Sequence, residues 1–163
     1  MQERKLMELA EAAGTIAIVG HVRPDGDCVG SCLAVCNYIT EQYPEKTVDV
    51  YLETPPAKFS YLKQFERICS DPETGKQYDL CICLDSGDRE RLGKNVVYLD
   101  TAKTSICIDH HITNQGYAQP ASCSMIFWMR RKSAKKWLSA STPESFMTPT
   151  YSKTATPRSA PCR

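Results

Sequence analysis

The chain has 163 residues, with 20 basic and 19 acidic side chains and a formal net charge of +1. That length allows one domain with a real core and leaves no room for two comfortable ones, and the apolar share is that of an ordinary soluble globular protein. No apolar run approaches transmembrane length, and the N-terminus, MQERKLMELAEAAG, is charged and lacks the apolar stretch of a signal peptide, so a cytoplasmic location without a membrane partner is expected.

In chain order, Leu6, Leu9, Ala10 and Ala13 fall at helical spacing over residues 3–13, with Gly14 as the stop. TIAIVG, Thr15 to Gly20, is mostly β-branched and reads as a buried strand. The loop HVRPDGD follows, and CVGSCLAVCNYITEQY has the apolar spacing of a helix. Thr47 to Leu52 alternates as a second strand, and Ala57 to Phe65 is predicted as a short helix. Tyr78 to Leu84, YDLCICL, is another buried strand, running into DSGDRERLG. A helix to about residue 102 and a last strand, TSICI, lead to Asp109, His110 and His111. Strands alternating with helices predict a doubly wound, mostly parallel α/β sheet.

Nine cysteines raise the question of a disulfide framework or a zinc site. Cys28, Cys32 and Cys36 recur every four residues, one stripe of a helix, and Cys81 and Cys83 share one face of a strand. No C-x-x-C pair is present, so these thiols read as small buried hydrophobes in a reducing compartment.

Each of three predicted strands ends in ionisable groups: His21 with Asp25 and Asp27, Asp85 with Asp88, and Asp109 with His110 and His111. Any one of these has a plain explanation. PDGD is ordinary turn chemistry, an Asp at a strand end often caps the next helix, and a histidine pair can sit satisfied at a sheet edge. Three together are harder to assign to capping, because open α/β sheets gather ligands beyond the carboxyl ends of their strands. Carboxylates mixed with imidazole, with no thiolate at those positions, suit Mn²⁺ or Mg²⁺ better than structural zinc. A cluster of this size suggests two ions, and ions about 3.5–4 Å apart can activate water and clamp a phosphoryl group.

His21-x-x-x-Asp25-x-Asp27-x-x-Gly30-Ser31, Asp85-Ser86-Gly87-Asp88 and Asp109-His110-His111 resemble the first three motifs of the DHH phosphoesterase superfamily, nearest to the branch of bacterial bifunctional oligoribonuclease/PAP phosphatases. The resemblance covers residues 1–119. It implies that His21 and Asp25 hold one Mn²⁺, that Asp27 and His110 hold the other, and that Asp85 bridges them. It further implies that His111 faces the scissile phosphate and that Asp109 orients its neighbours. Gly30 and Ser31 would open a helix whose amides face phosphate, although small residues there also permit close packing on the sheet. The implied substrates are short RNA and 3′-phosphoadenosine 5′-phosphate. Rival readings are a cyclic-dinucleotide phosphodiesterase, a manganese pyrophosphatase relative completed by a partner, and a non-enzymatic metal- or nucleotide-binding module. Neither DNA-specific binding nor an oligomeric state is indicated.

Residues 120–163 differ from what precedes them. They hold 8 of the 20 basic residues and one of the 19 acids, are rich in Ser, Thr and Pro, and contain no Gly. The two parts thus carry net charges of about −6 and about +7. The later part reads either as a disordered basic tail able to touch nucleic acid or as a stretch translated out of frame. Joining the third base of each codon to the next two forces Asp at Trp128–Met129 and again at Met147–Thr148, with His or Tyr at Phe146–Met147. Free third bases allow an amphipathic helix and then H-D-T between those points, which resembles the family's fourth motif. The expectation is therefore a partial DHH domain over 1–119, a disordered, out-of-frame segment over 120–163, weak or absent activity, and room for one bound ion where the complete family holds two.

Overall fold

The computed structural model describes residues 2–73, 75–112, 114, 116–118 and 126–128. Helix α1 (Gln2–Ala12) precedes β1 (Thr15–Val19), α2 (Gly26–Gln42) and β2 (Thr47–Tyr51). Then come β3 (Ile68–Cys69), β4 (Leu80–Leu84), α3 (Val96–Thr101), β5 (Thr104–Asp109) and β6 (Ile126–Trp128). The six strands form one sheet in the order β3-β2-β1-β4-β5-β6, and every pairing is parallel. This is the doubly wound α/β arrangement expected from the sequence. Connections from β1 run outward one way and those from β4 the other, so the order reverses between β1 and β4. A crevice opens at such a reversal, beyond the carboxyl ends of the strands.

The strands are buried on both faces, which explains their unbroken apolar runs. Ile16, Ile18, Leu80, Ile82 and Leu84 pack with α1 and α2 on one side; Ala17, Val19, Cys81, Cys83 and Cys107 meet Leu92, Tyr98 and Leu99 on the other. Cys28, Cys32 and Cys36 line the inward stripe of α2, and all three are buried.

Three segments depart from expectation. The helix predicted over Ala57–Phe65 is a pair of 3-10 turns, Ala57–Phe59 and Phe65–Arg67, and Gln64 between them has φ +62, which no continuous helix tolerates. The helix to residue 102 begins as a 3-10 turn, Glu90–Asn95, and breaks at Gly93 (φ +56) before α3. A Cβ at Gly93 would lie 2.5 Å from Val22, so glycine is needed there twice over. The gain is positional: Val22 donates its amide to the Arg91 carbonyl at 2.7 Å, which pins the loop after β1 to this turn. Finally, Ile126–Trp128 of the basic segment pairs in parallel with β5, Cys107 opposite Ile126. The remaining expectations for residues 120–163 fall outside the described residues.

Candidate metal centre

The three loops meet where the topology puts them. β1, β4 and β5 are neighbours, with Val19 paired to Cys83 and Leu84 to Ile108, so the residues that follow each strand emerge at one edge. His21 is buried, and its Nδ1 lies 2.8 Å from the Val22 carbonyl. That contact assigns the proton to Nδ1 and leaves the Nε2 lone pair facing inward. Nε2 lies 3.9 Å from Asp25 Oδ1 and 3.8 Å from Asp85 Oδ2.

Asp25 caps α2. Its Oδ1 accepts from the amides of Asp27 at 3.0 Å and Cys28 at 3.1 Å. The Cys28 amide above all holds this carboxyl below its usual range. Asp27, in the first turn of α2, is largely exposed and points its Oδ2 to within 4.0 Å of His110 Nδ1.

Asp85 is the pivot. It follows β4 in a left-handed conformation (φ +52), one that Asp tolerates better than most side chains. Its residue exposure is 8%, yet Oδ1 has no hydrogen-bond partner among the described residues. Burial raises its pKa and the nearby Asp27 charge raises it further, against the opposing pull of His110, His21 and His111. His110 Nε2 stands 3.7 Å and His111 Nδ1 3.8 Å from that same Oδ1, too far to hydrogen-bond. A buried carboxylate ringed by imidazoles at these distances fits a shared cation, which would supply the missing partner. Donor atoms of Asp85, His110 and His111 lie within 4.8 Å of one another, as do those of His21, Cys28 and Asp85. Two triads thus share one acid.

Asp109 is buried and faces away from this sharing. Its Oδ1 lies 2.6 Å from His111 Nδ1, and its Oδ2 accepts from Asn114 Nδ2 at 2.7 Å. Burial pushes its pKa up, but those two partners outweigh it and hold Asp109 ionised. The stacked rings of His110 and His111, centroids 4.8 Å apart, present different nitrogens to the centre.

Gly30 and Ser31 sit elsewhere than their expected role requires. Val29 already donates to the Asp25 carbonyl, so both residues lie inside the helical ladder and their amides do not face the crevice. Ser31 Oγ bonds the Cys28 carbonyl, and a Cβ at Gly30 would meet nothing within 4 Å, so close packing does not call for glycine there either. Asp88 accepts the Arg91 amide and caps its own turn. Two residues at the centre were not singled out from sequence as part of it. Cys28 looked like one member of a core stripe, and Asn114 is a lone loop amide whose only signal is its spacing after Asp109-His110-His111.

A parallel, doubly wound sheet with carboxylates and imidazoles converging at its switch point defines a class of α/β protein whose crevice gathers groups able to hold a metal ion. The chain belongs to the DHH family: the model of that family's N-terminal domain matches residues 15–149, a span that includes β6. It is 31% identical over 114 residues to the Probable bifunctional oligoribonuclease and PAP phosphatase NrnA of Streptococcus mutans, covering 70% of this chain and 35% of that protein. Against the Bifunctional oligoribonuclease and PAP phosphatase NrnA of Bacillus subtilis it is 32% identical over 103 residues, 63% of this chain and 31% of the relative. The chain thus spans about a third of the length of the curated relatives it matches. An exopolyphosphatase-related protein from Bacteroides fragilis superposes with a TM-score of 0.64 at 23% identity, over 78% of this chain and 39% of the other, and speaks for the fold alone.

Proposed function

We propose that residues 1–119 carry the metal centre of a phosphoesterase acting on short oligoribonucleotides and 3′-phosphoadenosine 5′-phosphate, with Mn²⁺ as the preferred ion and Mg²⁺ as a substitute. The observation that carries this reading is the buried Asp85 carboxylate between two imidazoles: Oδ2 lies 3.8 Å from His21 Nε2, and Oδ1, which lacks a partner among the described residues, lies 3.7 Å from His110 Nε2. The relatives' names supply the substrate class. When bound, the ions supply Lewis acidity that sharpens a water nucleophile and offsets phosphoryl charge.

The chain's own residues divide the work. His21, Asp25 and Asp85 hold one ion, and Asp27, His110 and Asp85 the other. Asp109 fixes the His111 ring through Nδ1, leaving Nε2 to meet a phosphate oxygen or the leaving group. The frame change near residue 120 belongs to the same proposal, supported by the two aspartates that the genetic code forces in the alternative frame. Ile126–Trp128 pairing with β5 is compatible with either frame, since backbone bonds carry a ladder.

The test compares two proteins, the chain as it stands and one with the alternative frame restored, for Mn²⁺-dependent release of mononucleotides from short RNA and of phosphate from 3′-phosphoadenosine 5′-phosphate. Turnover is expected in the restored protein and lost in its Asp85→Ala form, with the original chain slower by about 100-fold or more, because positioning and ion binding each contribute orders of magnitude. A restored protein inert with Mn²⁺, or turnover indifferent to Asp85→Ala, would overturn it. Binding of RNA without turnover would favour the non-enzymatic module, for which the excess of basic residues over 120–163 speaks.

A further inference from the structure

The hard-ion reading of the sequence assumed that no cysteine sulfur reaches the cluster. In the structure one does. Cys28 Sγ, a His21 ring nitrogen and an Asp85 carboxylate oxygen lie within 4.8 Å of one another, and all three residues are buried. Cys28 is the third residue of α2, level with the Asp25 cap, so its side chain projects back toward the end of β1. Gly20 makes room for it: a Cβ there would lie 2.4 Å from Cys28 Sγ and 2.4 Å from Leu52 Cδ2.

We infer that the half of the metal centre on His21 is a mixed nitrogen, sulfur and oxygen site, His21–Cys28–Asp85, that takes a softer, tetrahedral ion of the Zn²⁺ or Co²⁺ type. The inference rests on the metal-centre reading above and adds a ligand to it. Two observations carry it independently of the thiol. Asp85, nine-tenths buried, turns its Oδ2 to within 3.8 Å of His21 Nε2, and the His21 Nδ1 contact leaves that Nε2 lone pair facing inward. Three donors with mutual separations up to 4.8 Å need to close by about 1.3 Å at most, a side-chain rotation, around a tetrahedral ion with Zn–N near about 2.0 Å and Zn–S near about 2.3 Å. Asp25, whose Oδ1 is 3.9 Å from the same Nε2, is the candidate for a fourth ligand. On binding, the thiol proton leaves to solvent and the sulfur coordinates as thiolate.

The other triad, Asp85–His110–His111, has no sulfur donor. The centre is therefore asymmetric, with a softer ion on the β1 side and a harder one toward β5. A thiolate favours Zn²⁺ over Mn²⁺ well beyond the ordinary order of divalent affinities. An excess of Zn²⁺ would thus occupy the first position and displace Mn²⁺ there.

The experiment titrates Co²⁺ into the whole reduced chain without oxygen and follows the near-ultraviolet sulfur-to-cobalt charge-transfer band. The band is expected in the wild type and in Cys32→Ser, lost in Cys28→Ser and Cys28→Ala, and abolished by Zn²⁺. Calorimetry in parallel should show Zn²⁺ affinity falling by about 100-fold in Cys28→Ser while Mn²⁺ affinity moves by less than about 3-fold. Zinc K-edge absorption of the unsubstituted protein needs no variant to fold and should show one sulfur among the ligands. Ion binding with no sulfur band and no sulfur scatterer removes Cys28 from the site while leaving the metal centre standing. A band that survives Cys28→Ser places the sulfur elsewhere and overturns the inference, and failure to bind any divalent ion overturns both.

Discussion

Strand β4 has an aspartate at each end, and the two are treated in opposite ways. Asp79, just before the strand, is surrounded by donors: Oδ2 accepts from the amides of Gly14 and Thr15 at 3.0 Å each and from Thr15 Oγ1 at 3.1 Å, and Oδ1 takes Lys103 Nζ at 2.7 Å. Lys103 first, then those amides, hold its carboxyl well below the usual range. Asp85, just after the strand, is more buried and has an oxygen that no described group bonds; its pKa is raised by that burial. The saturated acid ties β1, β4 and β5 together at the amino edge of the sheet. The unsaturated one faces imidazoles at the carboxyl edge, where a shared cation would complete it. Chemistry and support sit on opposite edges of one sheet, five residues of strand apart.

The largest expected effect is on ion binding. Asp85→Ala should weaken Mn²⁺ by about 100-fold or more, since one carboxylate serves both triads and ligand-orienting changes alone cost about 10–100-fold. Calorimetry would read it. In the metal-free chain Asp85→Asn should leave stability unchanged or raise it by about 1 kcal/mol, because a buried charge without a hydrogen bond is removed. A large loss of metal-free stability in urea would mean that Asp85 is a structural acid like Asp79.

Asp79→Ala should do the reverse: lower stability by about 2 kcal/mol through the lost charge-assisted bonds, with solvent at this edge limiting the cost, and leave Mn²⁺ affinity unchanged. The pH dependence has a definite sign. A carboxyl depressed on folding stabilises above its unfolded pKa, near about 4, and that contribution is lost as pH falls through the folded value. Urea midpoints of the wild type should therefore fall below about pH 4 more steeply than those of Asp79→Asn. Equal slopes would separate the measured stability from this tie.

Between these in kind is Gly20, which belongs to both structure and site. Gly20→Ala should cost about 1–3 kcal/mol, because the new methyl collides with Cys28 Sγ and Leu52. It should also move the thiol away from His21 and Asp85. A substitution tolerated without loss would show that the end of β1 can yield there.

Much of this was readable without coordinates. TIAIV and LCICL are apolar on both faces because the strands they form are buried on both faces, and the loops that close them carry the acids. Parallel topology then brings those strand ends together. What stayed hidden lacks a period or obeys two periods at once. Ile68–Cys69 is too short to alternate, and Gln64 breaks a helix through a dihedral that no composition announces. Cys28 fits its four-residue stripe and is in the core, yet its place at the helix start also sets it beside His21.

Asn114 is the subtlest case and carries the smallest effect. Its amide nitrogen reaches Asp109 Oδ2 at 2.7 Å and the Ser86 carbonyl at 3.3 Å, while its Oδ1 accepts the Gly116 amide at 2.9 Å. It therefore joins the loops after β4 and β5 and fixes one carboxylate oxygen so that the other meets His111. Loss of that grip leaves Asp109 bonded to His111 but free to rotate. Asn114→Ala should lower turnover of the frame-restored protein by about 10-fold, the low end for a residue that orients a ligand or base, with KM nearly unchanged. The His111 Nδ1 proton, expected downfield in the wild type from its 2.6 Å contact with Asp109, should broaden or move upfield in the variant. Mn²⁺ affinity should hold, since neither Asn114 nor Asp109 belongs to a donor triad. If KM rises instead while the proton signal stays in place, Asn114 shapes the loop without orienting His111, and the contrast between orienting and ion-holding groups would have to be drawn elsewhere.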